Sequence, residues 1–286
     1  MSNAQLIMSA ATSIGNLPVT YIPKKVREIY ELMVDLQQDD TEQYSSNGFY
    51  LDLVKLLQSK NPSRAIDILQ KSGYLKLFLP ELDALFGVPQ PIEHHPEVDS
   101  GIHSLMSLTA AKKTTNNHFV LMAILFHDIG KGLTPKENLP HHYGHEDLGE
   151  PIVKKIFARW RGRNNEEVIF AEKWVSIICF YHTHCHMIEK LQPKKVVELL
   201  TAIHAFEYPD FLEWYIITCE SDQRGRLGRE NVQYPQKDIL RTLFNEIIKK
   251  ESALKNNGNL YLLTDEEKRI RRINWLHEYN KAKKYG

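Results

Sequence analysis

Cysteine is scarce in this 286-residue chain, which holds only Cys179, Cys185 and Cys219. These form no Cys-x-x-Cys pair and no even set, so a disulfide framework and a cysteine-rich zinc knuckle are excluded. The usage points to a reducing, cytoplasmic setting. An excess of either charge is also missing: lysine plus arginine number 36, as do aspartate plus glutamate. That balance leaves no chain-wide basic field to hold nucleic acid. No apolar run has membrane-spanning length, and no basic segment followed by an apolar one opens the chain, so neither a span nor a leader is expected. Strand signals are few, and no repeat of about 20–50 residues is visible.

What is present is helical periodicity. Hydrophobic residues make up 42% of the chain, enough for a substantial core. The spacing predicts helices over 23–36, 49–58 and 62–72, with Asn61 capping and Pro62 at the first helical position. Further helices are predicted over 100–113, 117–129, 145–160, 166–182, 194–205 and 208–221. Thr264 and Glu267 form a capping box for a last helix through about 282. The proline-rich stretch around Pro89, Pro91 and Pro96 reads as an irregular connector. The fold class is all-α.

One run carries chemistry, Leu125-Phe-His127-Asp128-Ile-Gly-Lys131-Gly132. It closes an apolar stretch, Phe119 to Phe126, suited to a buried helix. A histidine and an aspartate there are costly to bury unless something pairs with them, and a divalent metal does so well. His103, on an amphipathic stretch with Ile102, Leu105, Met106 and Leu108, and Asp222, at the end of the run from Phe211 to Cys219, are partners in order along the chain. Each such residue taken singly reads equally well as a cap or a satisfied core group. The ordered set of His103, His127, Asp128 and Asp222 points to a metal site.

These segments, with Phe78-Leu-Pro-Glu-Leu-Asp-Ala-Leu-Phe-Gly-Val-Pro89, His95-Pro-Glu-Val-Asp-Ser-Gly-Ile-His103, Gly144-His-Glu and Glu220-Ser-Asp-Gln-Arg-Gly-Arg226, resemble bacterial CCA-adding tRNA nucleotidyltransferases that carry an HD domain. The likeness runs from about residue 45 to 240. It implies an HD helical bundle with a short N-terminal helical neck-like region. The expected division is a loosely ordered 1–20, the neck-like region over 21–90, an HD phosphohydrolase domain over 91–240 and a C-terminal helical extension over 241–286. The resemblance also implies metal-dependent 2′,3′-cyclic phosphodiesterase, 2′-nucleotidase and phosphatase activities, with His103, His127, Asp128 and Asp222 as ligands. The family's nucleotidyltransferase head, with its Asp-x-Asp motif, has no counterpart in this sequence, so CCA addition by this chain alone is not expected.

The resemblance further places His145 and His182 where dinuclear HD enzymes hold a second ion. The alternative is a set of polar pocket residues facing substrate. His94, His95 and His184 read as surface residues, and Glu146 as either a partner of a histidine or an exposed first-turn glutamate. An imidazole and carboxylate set favours nickel, manganese, cobalt, iron or zinc over magnesium. Asp128 is expected to ligate and orient water, and Lys131 either to offset phosphoryl charge or to cap a helix C-terminus. Arg224 and Arg226 suit a substrate phosphate or an internal ion pair. The expected partners are a phosphorylated nucleotide or an RNA 3′ end, with tRNA and a homodimer as further candidates and no membrane. The alternatives are an accessory tRNA-binding subunit for a separate nucleotidyltransferase, and an HD hydrolase of another nucleotide.

Overall fold

A computed structural model describes residues 3–18, 47–160, 165–256 and 259–285. Among these, thirteen α-helices and no strand are found, matching the all-α expectation. The helix predicted over 23–36 lies outside the described residues. No helix among those described is long and apolar enough to cross a membrane. The chain forms two compact units, one of Met1–Phe180 with Glu220–Val232, the other of Tyr181–Cys219 with Gln233–Gly286.

In the first unit, α1 (Asn3–Asn16) packs on α2 (Asn47–Gln58) and α3 (Pro62–Lys71). Where loose order was expected, residues 3–16 are helical. Ala4, Ile7, Met8, Ala11 and Ile14 are all buried, and their three- and four-residue spacing makes one apolar face that outweighs the polar residues between. Asn61 caps α3 by accepting from the Arg64 N–H, with Pro62 beginning the helix as expected. Two short helices follow the left-handed Gly73, α4 (Tyr74–Phe78) and α5 (Pro80–Asp83).

The part that carries the candidate site begins with α6 (Ser100–Lys112), capped by Asp99, and α7 (His118–Phe126), capped by Asn117. Every residue of α7 from Val120 to Phe126 is buried, so this helix runs through the middle of its unit. It packs on α6 and α2, and α3 packs on α6. The segments expected as neck-like region and as HD core thus contribute to one unit. An aromatic cluster fixes the end of α7: the Trp160 ring centre lies 4.8 Å from Phe157, 5.4 Å from Phe49 and 6.4 Å from Phe126. The predicted helix over 117–129 stops short of that end. After Phe126 the backbone tightens into a 3-10 helix, Ile129–Leu133, against which α8 (His145–Trp160) packs.

The long α9 (Glu166–His186) runs from the first unit's residues into the second's, and α11 (Asp210–Arg224) runs back. Within the second unit, α13 (Asp265–Tyr285) packs on α10 (Pro193–Ala202) and α12 (Gln236–Asn256). The capping box is formed: Glu267 accepts from the Thr264 N–H at 2.8 Å and its own N–H reaches Thr264 Oγ1 at 3.2 Å. The guanidinium of Arg272 sits 3.4 Å from the centre of the Phe206 ring and pairs with Glu251. All three cysteines are buried thiols outside any disulfide.

If α1 belongs to the core, Ile14→Ala should cost about 2–4 kcal/mol, as large-to-small core changes do. The urea midpoint measures this; a loss below about 0.5 kcal/mol would return residues 3–16 to the surface.

Candidate metal centre

Four of the sequence candidates meet in the first unit. His103 lies one turn into α6, Asp222 lies in the last turn of α11, and His127 and Asp128 follow α7. All four are buried. His103 Nε2 is 3.0 Å from Asp222 Oδ1 and 3.7 Å from Asp128 Oδ2. His127 Nε2 is 3.2 Å from Asp128 Oδ2 and 3.8 Å from Asp222 Oδ1. One donor atom each from His103, His127 and Asp222 lies within 4.8 Å of the others, a buried group that could hold a metal ion.

The backbone sets these directions. His127 donates from Nδ1 to the Ile124 carbonyl at 2.7 Å, which turns its Nε2 toward the carboxylates. His145, the first residue of α8, donates from Nδ1 to the His142 carbonyl at 2.8 Å and brings Nε2 to 3.1 Å from Asp128 Oδ1. Two glycines permit the approach. A Cβ on Gly130 would run into the His145 carbonyl, so any side chain there would push the 3-10 turn off α8. A Cβ on Gly225 would overlap Ser107, so that glycine lets the end of α11, and with it Asp222, close on α6.

Lys131 is buried with its Nζ 2.6 Å from both Asp128 Oδ2 and Gln90 Oε1. Arg226 lies at the edge, its guanidinium 3.6 Å from Asp222 Oδ1. Arg224 is held differently: it pairs with Glu220 at 2.8 Å and reaches the Val232 carbonyl. There it borders a separate cavity of about 340 Å³ with Met106, Lys113 and Glu230. His182, also buried, lies on α9 in the second unit, where its carbonyl accepts from the Cys219 thiol. Glu146 Oε2 is 3.3 Å from His145 Nδ1.

The loop before α6 holds residues that the sequence reading passed over. His95, expected at the surface, is largely buried, with its ring 4.6 Å from that of His103. Glu97 stands between these two rings. Gln90, 2% exposed, meets Lys131. The available signal was a mixed histidine, glutamate and aspartate run immediately before a ligand-bearing helix. The proline spacing hid it by suggesting a solvated connector.

Electrostatics follow from this crowding. Burial pushes the Asp128 carboxyl up, but the charges of His127 and Lys131 and hydrogen bonds from His127 and His145 outweigh it and hold it well below the usual range. Burial lowers His103 and His145, yet the hydrogen bonds of His103 to Asp222 and Glu97, and of His145 to Asp128, leave both raised. Burial brings His95 down to about 4. The donor chemistry fits a divalent ion: two carboxylates and oriented imidazole nitrogens converge in a dry site, where an added cation would replace protons on the rings.

Residues 101–206 match the HD domain family. The chain is an HD-domain protein. Such domains form a metal-dependent phosphohydrolase superfamily, and this one spans α6 to α10. Asp222 lies beyond the matched stretch and joins it through the fold. Residues 52–86 match a second family, described as probable RNA and SrmB-binding site of polymerase A. Curated relatives named Multifunctional CCA protein include one from Hahella chejuensis, 39% identical over 232 residues, covering 81% of this chain and 53% of the relative. Another, from Actinobacillus pleuropneumoniae serotype 5b, is 38% identical over 199 residues, covering 68% and 47%. A third, from Teredinibacter turnerae, is 36% identical over 228 residues, covering 79% and 54%. The chain spans about half the length of the curated relatives it matches.

A histidine raised on folding contributes stability that is complete below its ordinary value and is lost as pH rises through the raised one. The metal-free protein should therefore lose melting temperature above pH 6.5, the ordinary value for His103 and His145. His103→Gln should flatten that slope. Identical slopes across pH 6–9 would remove His103 from the account.

Proposed function

We propose that this chain is a metal-dependent phosphohydrolase that opens 2′,3′-cyclic phosphates and releases phosphomonoesters at nucleotides or RNA ends. The carrying observation is the convergence of His103, His127, Asp128 and Asp222 in one buried site with Lys131 beside it and Arg226 at its edge. In this reading those four residues hold a divalent ion, with manganese, nickel, cobalt, iron or zinc favoured over magnesium by the nitrogen donors. The bound ion would supply Lewis acidity and an acidified water at neutral pH.

The chain's own groups then divide the work. Asp128 offers Oδ2 to the centre and accepts from Lys131 on the same atom, while its Oδ1 meets His145, so the carboxylate is locked in one orientation. Lys131, tethered by Gln90, brings a positive charge to where phosphoryl oxygens gain negative charge as water adds and the ester oxygen leaves. Arg226, 16% exposed, can meet a phosphate from the solvent side. His145 belongs to the same polar wall, as a ligand to a second ion or as a donor to the leaving oxygen; His182 remains a candidate for the second ion.

A second reading is an accessory tRNA-binding role. It is favoured by the match of residues 52–86 to an RNA-binding family and by relatives named for CCA. The two readings part on turnover. Metal-stripped protein reconstituted in turn with nickel, manganese, cobalt and magnesium should hydrolyse 2′,3′-cAMP with at least one transition metal. Bound metal without turnover on this substrate would shift the reading to another phosphate ester or to RNA binding.

Asp128→Ala should abolish that turnover while the far-ultraviolet helical signal stays near wild type; retained turnover would sink the assigned site. Lys131→Ala should lower kcat by about 10²-fold, as loss of one charge-stabilising donor does, with a smaller change in metal affinity. Unchanged kcat would leave Lys131 as a structural partner of Asp128 alone.

A further inference from the structure

We infer that Glu97 is the positioning residue of this centre: its carboxylate fixes the His103 ring with Nε2 toward Asp222 and ties the loop after α11 to the same ring. The inference rests on the metal reading above.

Three contacts carry it. Glu97 Oε1 is 3.0 Å from His103 Nδ1 and 2.9 Å from His95 Nδ1, while Oε2 accepts the Leu227 N–H at 3.1 Å. The carboxylate is 2% exposed, so it is spent on these partners rather than on water. A carboxylate 3.0 Å from Nδ1 favours a proton on that nitrogen, so an ion that displaces the proton Nε2 shares with Asp222 in the metal-free site would meet the Nε2 lone pair. Nε2 is the atom 3.0 Å from Asp222 Oδ1. His127 and His145 have backbone carbonyls in the corresponding place, Ile124 and His142. The carboxylate on His103 is a stronger acceptor and raises the basicity of the ring that would meet the ion.

The loop that presents Glu97 is built tightly. Pro89 and Asp99 form a bridge across it, the Gln90 N–H reaches the Val98 carbonyl at 2.6 Å, and Asp99 accepts from Gly87 and Ile102. Val98 sits at φ +62°, a left-handed conformation that a β-branched residue rarely adopts. That strain is tolerated next to the residue whose placement it decides. Through Leu227 the same carboxylate sets the residue after Arg226, so ligand and arginine share one anchor.

The test uses the full chain and Ni²⁺ alone, titrated calorimetrically. Glu97→Gln should weaken Ni²⁺ binding by about 10–100-fold, the usual effect of losing a partner behind a ligand. His95→Gln, which removes the other ring on the same carboxylate, should stay within about threefold. In zinc-loaded protein the His103 Nδ1–H proton resonance should move upfield in Glu97→Gln, a change that mere loosening of the loop would not produce. If Glu97→Gln does not fold, Glu97→Asp carries the test, with a smaller loss of about tenfold. Wild-type protein that binds no Ni²⁺ would overturn the metal reading and this inference with it. Wild-type binding with unchanged affinity in the folded Glu97 variant would overturn this inference alone.

Discussion

Two buried carboxylates facing one another across imidazole rings are the constraint on which the ligand-bearing unit depends. Asp128 and Asp222 are 2% and 3% exposed, too dry to be neutralised by water. Each is therefore surrounded by donors: His127, His145 and Lys131 around Asp128, His103 and Arg226 around Asp222. Replacing a single partner would leave a buried charge uncompensated, which costs more than the pair contributes when intact. This explains why donors come from so many places: α6, the residue after α7, the 3-10 turn, α8 and the loop after α11. No one helix face can surround a carboxylate. The close contacts at Gly130 and Gly225 are the steric side of the same demand, since the backbones must approach before the side chains can converge.

The all-α character and most helix positions were legible because burial writes a three-and-four spacing into sequence, as in α3 and α8. The candidate ligands stood out because histidine and aspartate interrupt apolar runs that have no other use for them. Less visible was the end of α7. An unbroken pattern through 129 predicts a continuous helix, yet the chain switches to a 3-10 turn after Phe126, a choice made by contact with α8 rather than by local preference. The order of α1 was missed although Ala4, Ile7, Met8, Ala11 and Ile14 keep that spacing, because the small and polar residues between them read as loose chain until α2 and α3 are seen packed on the face. Arg224 and Arg226 are indistinguishable by type and two residues apart, but the helix turns one toward Glu220 and the other toward Asp222.

Several departures from local rules gather around the site. A valine at positive φ, a dry lysine, an inward-turned glutamate and a helix that tightens before its pattern ends all lie within the 89–131 stretch or its direct partners. Departures also occur elsewhere, with His204 at φ +56° and Glu172 buried on α9, beside regular features such as the reciprocal caps at Thr264 and Glu267 and the aromatic cluster around Trp160. A chain under pressure only for stability would remove such departures, since hydrophobic replacements of buried charge are commonly neutral or stabilising. Their concentration around His103, Asp128 and Asp222 separates the two tasks of the unit. Helices α1 to α3 and the interior of α7 supply cohesion, and the loop before α6 and the turn after α7 use it to hold polar groups that would otherwise repel or hydrate. The rigidity of that loop is then a requirement, because a ligand whose orientation depends on a carboxylate behind it is only as well placed as the backbone carrying that carboxylate.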